Sequence, residues 1–519
     1  MMRALNLLFL SAFAAGVFAL PCGAAASGYP GRGKSVQALS PASDYSDLAR
    51  TRSRALGIMR ARAQGFVPSA ELHDYVRGVL MRDLAGVSLP ASFQPDVHIL
   101  AAPEFTALCT PDGTVIVTVG LLEQLENEDE LAFVLGHEIS HAIYRHHDSD
   151  WFTRSQYYAV VNAAAVDDVA KHASFAIGAA NSSKIARGFD VMQHLYKLSA
   201  NVLAPQMSRS QEDEADALGF DLMVKAGYDS EAALSVLDKL ARQEAEAARA
   251  AQEAKTAEAS SGGGSSASSM GSTLLGGLSK LADNGFSVSS MAKNGDMTDF
   301  AFTLFDSAVD SMSDEAASHH PATEREELLS AYEFREYRDL LPASPKPLPW
   351  SPSSASPLKP RLIALLSHYS AAEDAAGYVA DARSSTPARA QSAVLRSTTP
   401  PTHDHAYTEF VASEFYDASG KPQLSEVALQ KAVRGPEPSW EIYSRLADIY
   451  IARNDYAHAG ALMNEAVVRF DNSPVLLPKR IAILHAAGQD AEAAKLLPQC
   501  EGYDIRELKS ECEKAAGKS

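Results

Sequence analysis

Leu135-Gly136-His137-Glu138-Ile139-Ser140-His141 sets two histidines one helical turn apart with a glutamate beside the first, and this spacing restricts the fold more than any other feature of the chain. Residues four apart share a helix face, so the two imidazoles converge only if the segment is helical. The flanks predict that helix, from about residue 127 to 146. Asn127 and Glu130 have the N-cap and N3 spacing of a capping box, and Leu131, Val134 and Leu135 supply an apolar stripe. His-Glu-x-x-His on a helix is a zinc-binding arrangement, with His137 and His141 as ligands and Glu138 at the open coordination position. Zinc needs a third protein ligand, which must come from elsewhere in the chain.

A second helix start supplies it. Ser208 and Gln211 again have capping-box spacing, and Glu212, Ala215, Asp216 and Gly219 share one face, where the small side chains let a neighbouring helix approach. Glu212 is the expected third ligand. Asp216, one turn on, is placed to orient a ligand histidine from behind. Glu214 is the rival ligand, but it projects about 200° around the helix from Glu212. The bland reading of this segment is an acidic, solvated helix start favoured by the macrodipole. With zinc in place, Glu138 would take a proton from water and return it to a leaving amine.

At 519 residues the chain is too long for one ordinary core, so two folded domains are expected. A formal net charge of -19 argues against nucleic acid and against binding to anionic lipid. Arg3, the apolar run from Leu7 to Leu20 and Ala24-Ala25-Ala26 read as an export signal over 1–26, the run being shorter than the roughly 20 residues of a spanning helix. Pro21 disfavours lipid attachment at Cys22. Of the other cysteines, Cys500 and Cys512 are close enough to pair in an oxidising compartment, which leaves Cys109 as a thiol.

Helical apolar spacing runs from Ala55 to Leu84. Val97–Leu100 and Val115–Val119 predict a small strand pair around the turn Pro111-Asp112-Gly113. Residues 151–203 read as packed helices with too many charges for a bilayer span, 245–294 as a flexible insertion, and 341–360 as a Pro/Ser-rich linker. Tyr443, Tyr450, Asn454, Ala459 and Ala466 recur 34 residues later as Leu477, Leu484, Gly488, Ala493 and Cys500. That is the period of a tetratricopeptide hairpin, with a looser copy at Ala428 and Ala432. The expected fold is mainly α: an α+β zincin-type metallopeptidase domain over 50–340 with a small edge-strand sheet, then α-helical tetratricopeptide-like repeats over 361–519.

Together, the HExxH segment and Ser208-Arg209-Ser210-Gln211-Glu212-Asp213-Glu214-Ala215-Asp216 resemble the gluzincin peptidase family of HtpX and the CAAX prenyl endopeptidases. The export signal and the repeats narrow the resemblance to BepA-like periplasmic chaperone-proteases. The resemblance implies His137, His141 and Glu212 as zinc ligands, Glu138 as catalytic base and Asp216 as a further active-site residue. It implies that Val115–Val119, leading into Gly120-Leu121-Leu122, is the edge strand beside which substrate lies. It also implies that His320, in His319-His320-Pro321, belongs to a mobile loop and fills the open zinc position to hold the enzyme latent; a solvent-facing loop histidine is the other reading. Family members often carry Asn-Ala and Pro-Gly-Gly before the strand, where this chain has Thr106-Ala107 and Pro111-Asp112-Gly113, so details of the cleft differ. His146, His147, His403 and His405 read as structural.

The implied function is a periplasmic zinc endopeptidase acting on unfolded or mis-assembled envelope proteins. Its repeats would dock substrate or the outer-membrane assembly machinery, with at most peripheral membrane contact and no nucleic acid. The competing reading is a non-proteolytic chaperone or adaptor with a structural zinc site. Glu138 argues against that reading, because a closed structural site has no use for a base at that spacing.

Overall fold

A computed structural model describes residues 65–89, 93–103, 105–110, 113–146, 209–260, 321–380, 387–470, 472–502 and 506–517. The expected export signal, the stretch 151–203, and His319 and His320 lie outside these residues.

Ser69 caps α1 (Ala70–Asp83), accepting from the Leu72 amide at 3.3 Å. Leu72, Val76, Val79 and Leu80 follow at helical spacing and are fully buried. Among the described residues the helix thus starts later than the apolar spacing predicted. The reason is that Phe66 and Val67 are drawn to a strand: Phe66 bridges Leu100, and the Val67 amide donates to Ile99 O at 2.7 Å.

Three strands follow: β1 (Asp96–Leu100), β2 (Ala107–Cys109) and β3 (Thr114–Thr118). Their order is β1-β3-β2, with β1 parallel and β2 antiparallel to β3. This corrects the expectation for Val115–Val119, because β3 is the central strand and Val119 already begins the next helix. Thr-Val-Ile-Val-Thr is buried at every position, which suits a strand covered on both faces. The edge is β2, whose Ala-Leu-Cys is too short to show a period. Gly113, at φ 87°, ends the β2–β3 turn, and a Cβ there would lie 2.7 Å from the Phe93 ring.

Thr118 caps α2 (Val119–Gln124), and Asn127 caps α3 (Glu128–Ile143), accepting from the Glu130 amide at 2.8 Å. The Glu130 carboxylate reaches back to the Glu126 amide at 2.7 Å, so the reciprocal arm of the predicted capping box lands one residue earlier. Every residue of α3 except Glu138 is buried. Packed around it are α1, α4 (Arg209–Lys225) and α5 (Glu231–Ser260), while α6 (Ala322–Glu336) packs on α4 and α5. Helix α5 continues through the first residues of the stretch expected to be flexible, because Ala, Glu, Arg and Lys there are strong helix formers. The rest of that stretch, 261–294, lies outside the described residues.

The proline-rich stretch before residue 359 is irregular but held in place. Lys346 N donates to Asp129 Oδ2 at 2.6 Å, Lys346 O accepts from Glu128 N at 2.7 Å, and Trp350 Nε1 donates to Leu122 O at 3.2 Å. From residue 359 on, turns join the helices α7 (Lys359–Ala380), α8 (Pro387–Ser397), α9 (Ala406–Ala418), α10 (Pro422–Arg434), α11 (Trp440–Ala452), α12 (Tyr456–Arg469), α13 (Leu477–Ala486), α14 (Asp490–Glu501) and α15 (Arg506–Ala515), with a 3-10 turn at Pro474–Leu476. Successive helices pack as pairs, α9 on α10, α11 on α12 and α13 on α14. The 34-residue register has a physical basis. Asn454 and Gly488 take φ of 58° and 71° where the paired helices turn, and Ala459, Ala466, Ala493 and Cys500 are all buried.

Cys500 and Cys512 form a disulfide, and the Cys109 thiol is buried and donates to Thr110 O at 3.3 Å. Most buried apolar residues from Val67 to Cys512 make one connected core, and Phe66, Leu100, Ala102, Leu108 and Ile116 form a small separate cluster. Among the described residues no helix is long and apolar enough to cross a membrane. The architecture is mainly helical with a small three-stranded sheet, consistent with a zincin-like domain.

Candidate metal centre

Helices α3 and α4 touch without side chains between them. A Cβ on Gly219 would lie 2.7 Å from the His137 amide nitrogen, and one on Gly136 would lie 3.0 Å from Gly219 O. This approach carries Glu212 to the two histidines of α3. His137 Nε2 is 3.2 Å from His141 Nε2 and 3.5 Å from Glu212 Oε2, and His141 Nε2 is 3.8 Å from Glu212 Oε1. Ligands at zinc–ligand distances around a tetrahedral ion stand about 3.3 Å apart, so this donor set fits zinc. All three side chains are buried, and theirs is the metal-type cluster found among the described residues.

Behind His137, its Nδ1 lies 2.9 Å from Asp216 Oδ1. Arg325, from the first turns of α6, donates through Nε to Asp216 Oδ2 at 2.9 Å and through Nη2 to Oδ1 at 2.6 Å, and its Nη1 is 3.2 Å from Glu212 Oε2. Burial pushes the Asp216 carboxyl up, but the Arg325 guanidinium and the hydrogen bonds from His137 and Arg325 outweigh it and hold the group well below the usual carboxylate range. For His137, burial pushes the pKa down, and the hydrogen bond and charge of Asp216 bring it above its ordinary value. Burial, helped by the Glu212 charge and opposed by His137 and Arg325, pushes Glu138 up to about 7.

The centre opens on a cleft. It is lined by Phe105 to Cys109, including β2, by the apolar Phe133, Val134, Val236, Leu237 and Leu240, and by His137, Glu138, His141 and Glu212. Of the residues singled out from the sequence, His137, Glu138, His141, Glu212 and Asp216 come together here. His320 is outside the described residues.

Arg325 carried no signal of its own, although two acids bound for the interior on α4 called for a cation. His146, expected to be structural, has its Nδ1 2.9 Å from His141 Nδ1. Glu214, the rival ligand, meets His146 Nε2 at 3.1 Å and stands apart from the metal-type cluster. His405 precedes α9 and meets Tyr369 Oη at 2.9 Å, remote from the centre.

The sequence profile described as Peptidase family M48 matches residues 68–332. The Mitochondrial metalloendopeptidase OMA1 of Schizosaccharomyces pombe is 31% identical over 183 residues, which are 35% of this chain and 48% of that protein. Its counterpart in Arabidopsis thaliana is 29% identical over 147 residues, 28% of this chain and 26% of that protein. The Metalloendopeptidase OMA1, mitochondrial, of Bos taurus is 40% identical over 50 residues, 10% of each chain. This chain therefore spans less than half the length of these curated relatives.

Proposed function

The chain belongs to peptidase family M48, and from that premise we propose that it is a zinc-dependent endopeptidase of the cell envelope, cleaving unfolded or mis-assembled proteins in the manner of a BepA-like chaperone-protease. The observation that carries the reading is the convergence of His137, His141 and Glu212 beside Glu138, in a cleft that the edge strand β2 helps to line.

His137, His141 and Glu212 would hold zinc, which would supply Lewis acidity to lower the pKa of water toward about 7 and to polarise the scissile carbonyl. Glu138 takes the proton of the attacking water and passes it to the amine as the C–N bond breaks, and the remaining water proton also ends on the amine, leaving a carboxylate and an ammonium. The Ala107–Cys109 edge offers main-chain groups to an extended peptide, which fixes the backbone while tolerating varied sequence. The apolar wall at Val134, Val236, Leu237 and Leu240 receives a hydrophobic side chain next to the scissile bond. Asp216 and Arg325 hold His137 and Glu212 in alignment.

We assign His320 the part of a latch over the open position, on the resemblance of its His-Pro segment to that of BepA-like proteins. Residues 361–519 are read as tetratricopeptide-like repeats that dock substrate or the outer-membrane assembly machinery. The relatives named above are mitochondrial by name. A periplasmic location for this chain rests on the signal-like residues 1–26 and on the Cys500–Cys512 disulfide, a bond of oxidising compartments.

The test is casein cleavage by purified, zinc-loaded His320→Ala protein, with Glu138→Gln in the same background as control. Cleavage that disappears in the control is expected, and a slower wild type supports the latch. A His320→Ala protein that binds zinc and leaves casein intact would overturn the peptidase reading in favour of a non-proteolytic chaperone or adaptor.

A further inference from the structure

The end of α3 folds back over the second candidate ligand. Arg145 takes φ 57°, its amide donates to Ala142 O at 3.1 Å, and the His146 amide donates to His141 O at 2.9 Å. These are the paired bonds of a Schellman ending, and they return residue 146 to the level of residue 141. The His146 side chain is 5% exposed, so its contacts are made inside the protein. Its Nδ1 lies 2.9 Å from His141 Nδ1, its Nε2 3.1 Å from Glu214 Oε2, and its carbonyl accepts from Gln211 Nε2 at 3.3 Å. The Tyr144 ring stacks on it at 5.5 Å.

We propose that His146 and Glu214 form a positioning relay that holds His141 in the tautomer able to bind metal, separate from the Asp216–Arg325 pair behind His137. The proposal rests on the zinc reading of the site. Its logic is proton placement. His141 Nε2 faces His137 Nε2 and Glu212, so it binds an ion only as a bare nitrogen, and the ring proton must sit on Nδ1. His146 Nδ1 is then the acceptor, its own proton sits on Nε2, and that proton is donated to Glu214. All three groups are satisfied by one arrangement; exchanging the His146 tautomer breaks both hydrogen bonds, and exchanging the His141 tautomer breaks the one between the two rings. The two ligand histidines are therefore supported differently: His137 by a fully buried anion, His141 by a neutral ring whose carboxylate partner is partly open to solvent. The N-terminal turns of α4 thus serve both histidines, with Glu212 and Asp216 directed to one side of the helix and Glu214 to the other.

The relay is tested on the full chain by zinc affinity, from competition with a chromogenic chelator, and by the visible spectrum of the cobalt(II)-substituted protein. His146→Leu, which fills the space without an acceptor, is expected to weaken zinc binding by about tenfold or more and to alter the cobalt bands. His146→Asn presents an oxygen near the place of Nδ1 and is expected to restore most of the affinity. Glu214→Gln should give a smaller loss than His146→Leu. Thermal melts of the zinc-free proteins show whether a variant has simply lost its fold; a purely structural role would make Asn no better than Leu. Wild-type affinity and an unchanged cobalt spectrum in His146→Leu, or equal losses in Leu and Asn, overturn the relay alone. A wild-type chain that takes up no zinc overturns the zinc reading, and the relay with it.

Discussion

Asp83 is a carboxylic acid with no visible means of staying charged. It is 1% exposed, and neither oxygen has a hydrogen-bond partner among the described residues. Burial, aided by Glu128 and only partly offset by Arg82 and Lys346, raises its pKa well above the ordinary value. Below about pH 4 both the folded and unfolded chains hold this proton. As the pH rises, the unfolded chain releases it while folded Asp83 keeps it, so stability falls through that window. Asp83→Asn is therefore expected to stabilise the protein by about 1–3 kcal/mol at pH 8, with the gain vanishing near pH 4. Urea unfolding at the two pH values decides it, and a gain independent of pH would show Asp83 to be charged when folded. The residues of the metal centre divide along a similar line of visibility. His137, Glu138 and His141 were legible because one helix fixes their spacing, and Glu212 and Asp216 because a second helix repeats the device. Arg325 and His146 were not, because each is defined by a contact across elements: Arg325 meets Asp216 over 109 residues, and Glu214 meets His146 over 68.

The crossing of α3 and α4 depends on what Gly136 and Gly219 lack. A methyl group on Gly219 would lie 2.7 Å from the His137 amide nitrogen and 2.9 Å from its Cα, both backbone atoms that cannot swing aside. Gly219→Ala is expected to cost about 1–3 kcal/mol as the helices separate. Zinc affinity should fall with it, because separation moves Glu212 away from His137 and His141. Denaturation midpoints and zinc competition measured together check this, and lost stability with unchanged zinc affinity would contradict it. Helix starts were readable from their caps, as Asn127 shows. The sheet was less so. β3 was visible from its β-branched run, but its place at the centre was set by β2, three residues that carry no pattern of their own. Likewise, composition suggested looseness after Ala245, where the helix-forming strength of the same residues extends α5 to Ser260.

At the scale of the molecule, a ligand set drawn from two helices couples metal binding to folding, since the unfolded chain holds no such site. Free zinc at 100 times its dissociation constant should stabilise the protein by about 2.7 kcal/mol, and a chelator should remove that increment. Calorimetry with and without chelator measures it, and an unmoved transition would mean that the donor set is empty in solution. That strands come early in the chain and helices dominate the rest was legible from the sequence, but the continuity of the core was not. The core continues through both, and the stretch before α7 is pinned to α2 and α3 instead of hanging free.

Gly65 adds a second attachment, since a Cβ on it would lie 2.8 Å from Glu437 O, in the turn before α11. The two parts are therefore held together at two places far apart in sequence, once by the covalent chain and its anchors and once by close contact, as a buckle holds a strap. Cutting a single strap of a buckle does not open it: a protease site inserted between Ser351 and Lys359 should, once cleaved, give two fragments that still elute together from a sizing column under native conditions and part only in denaturant.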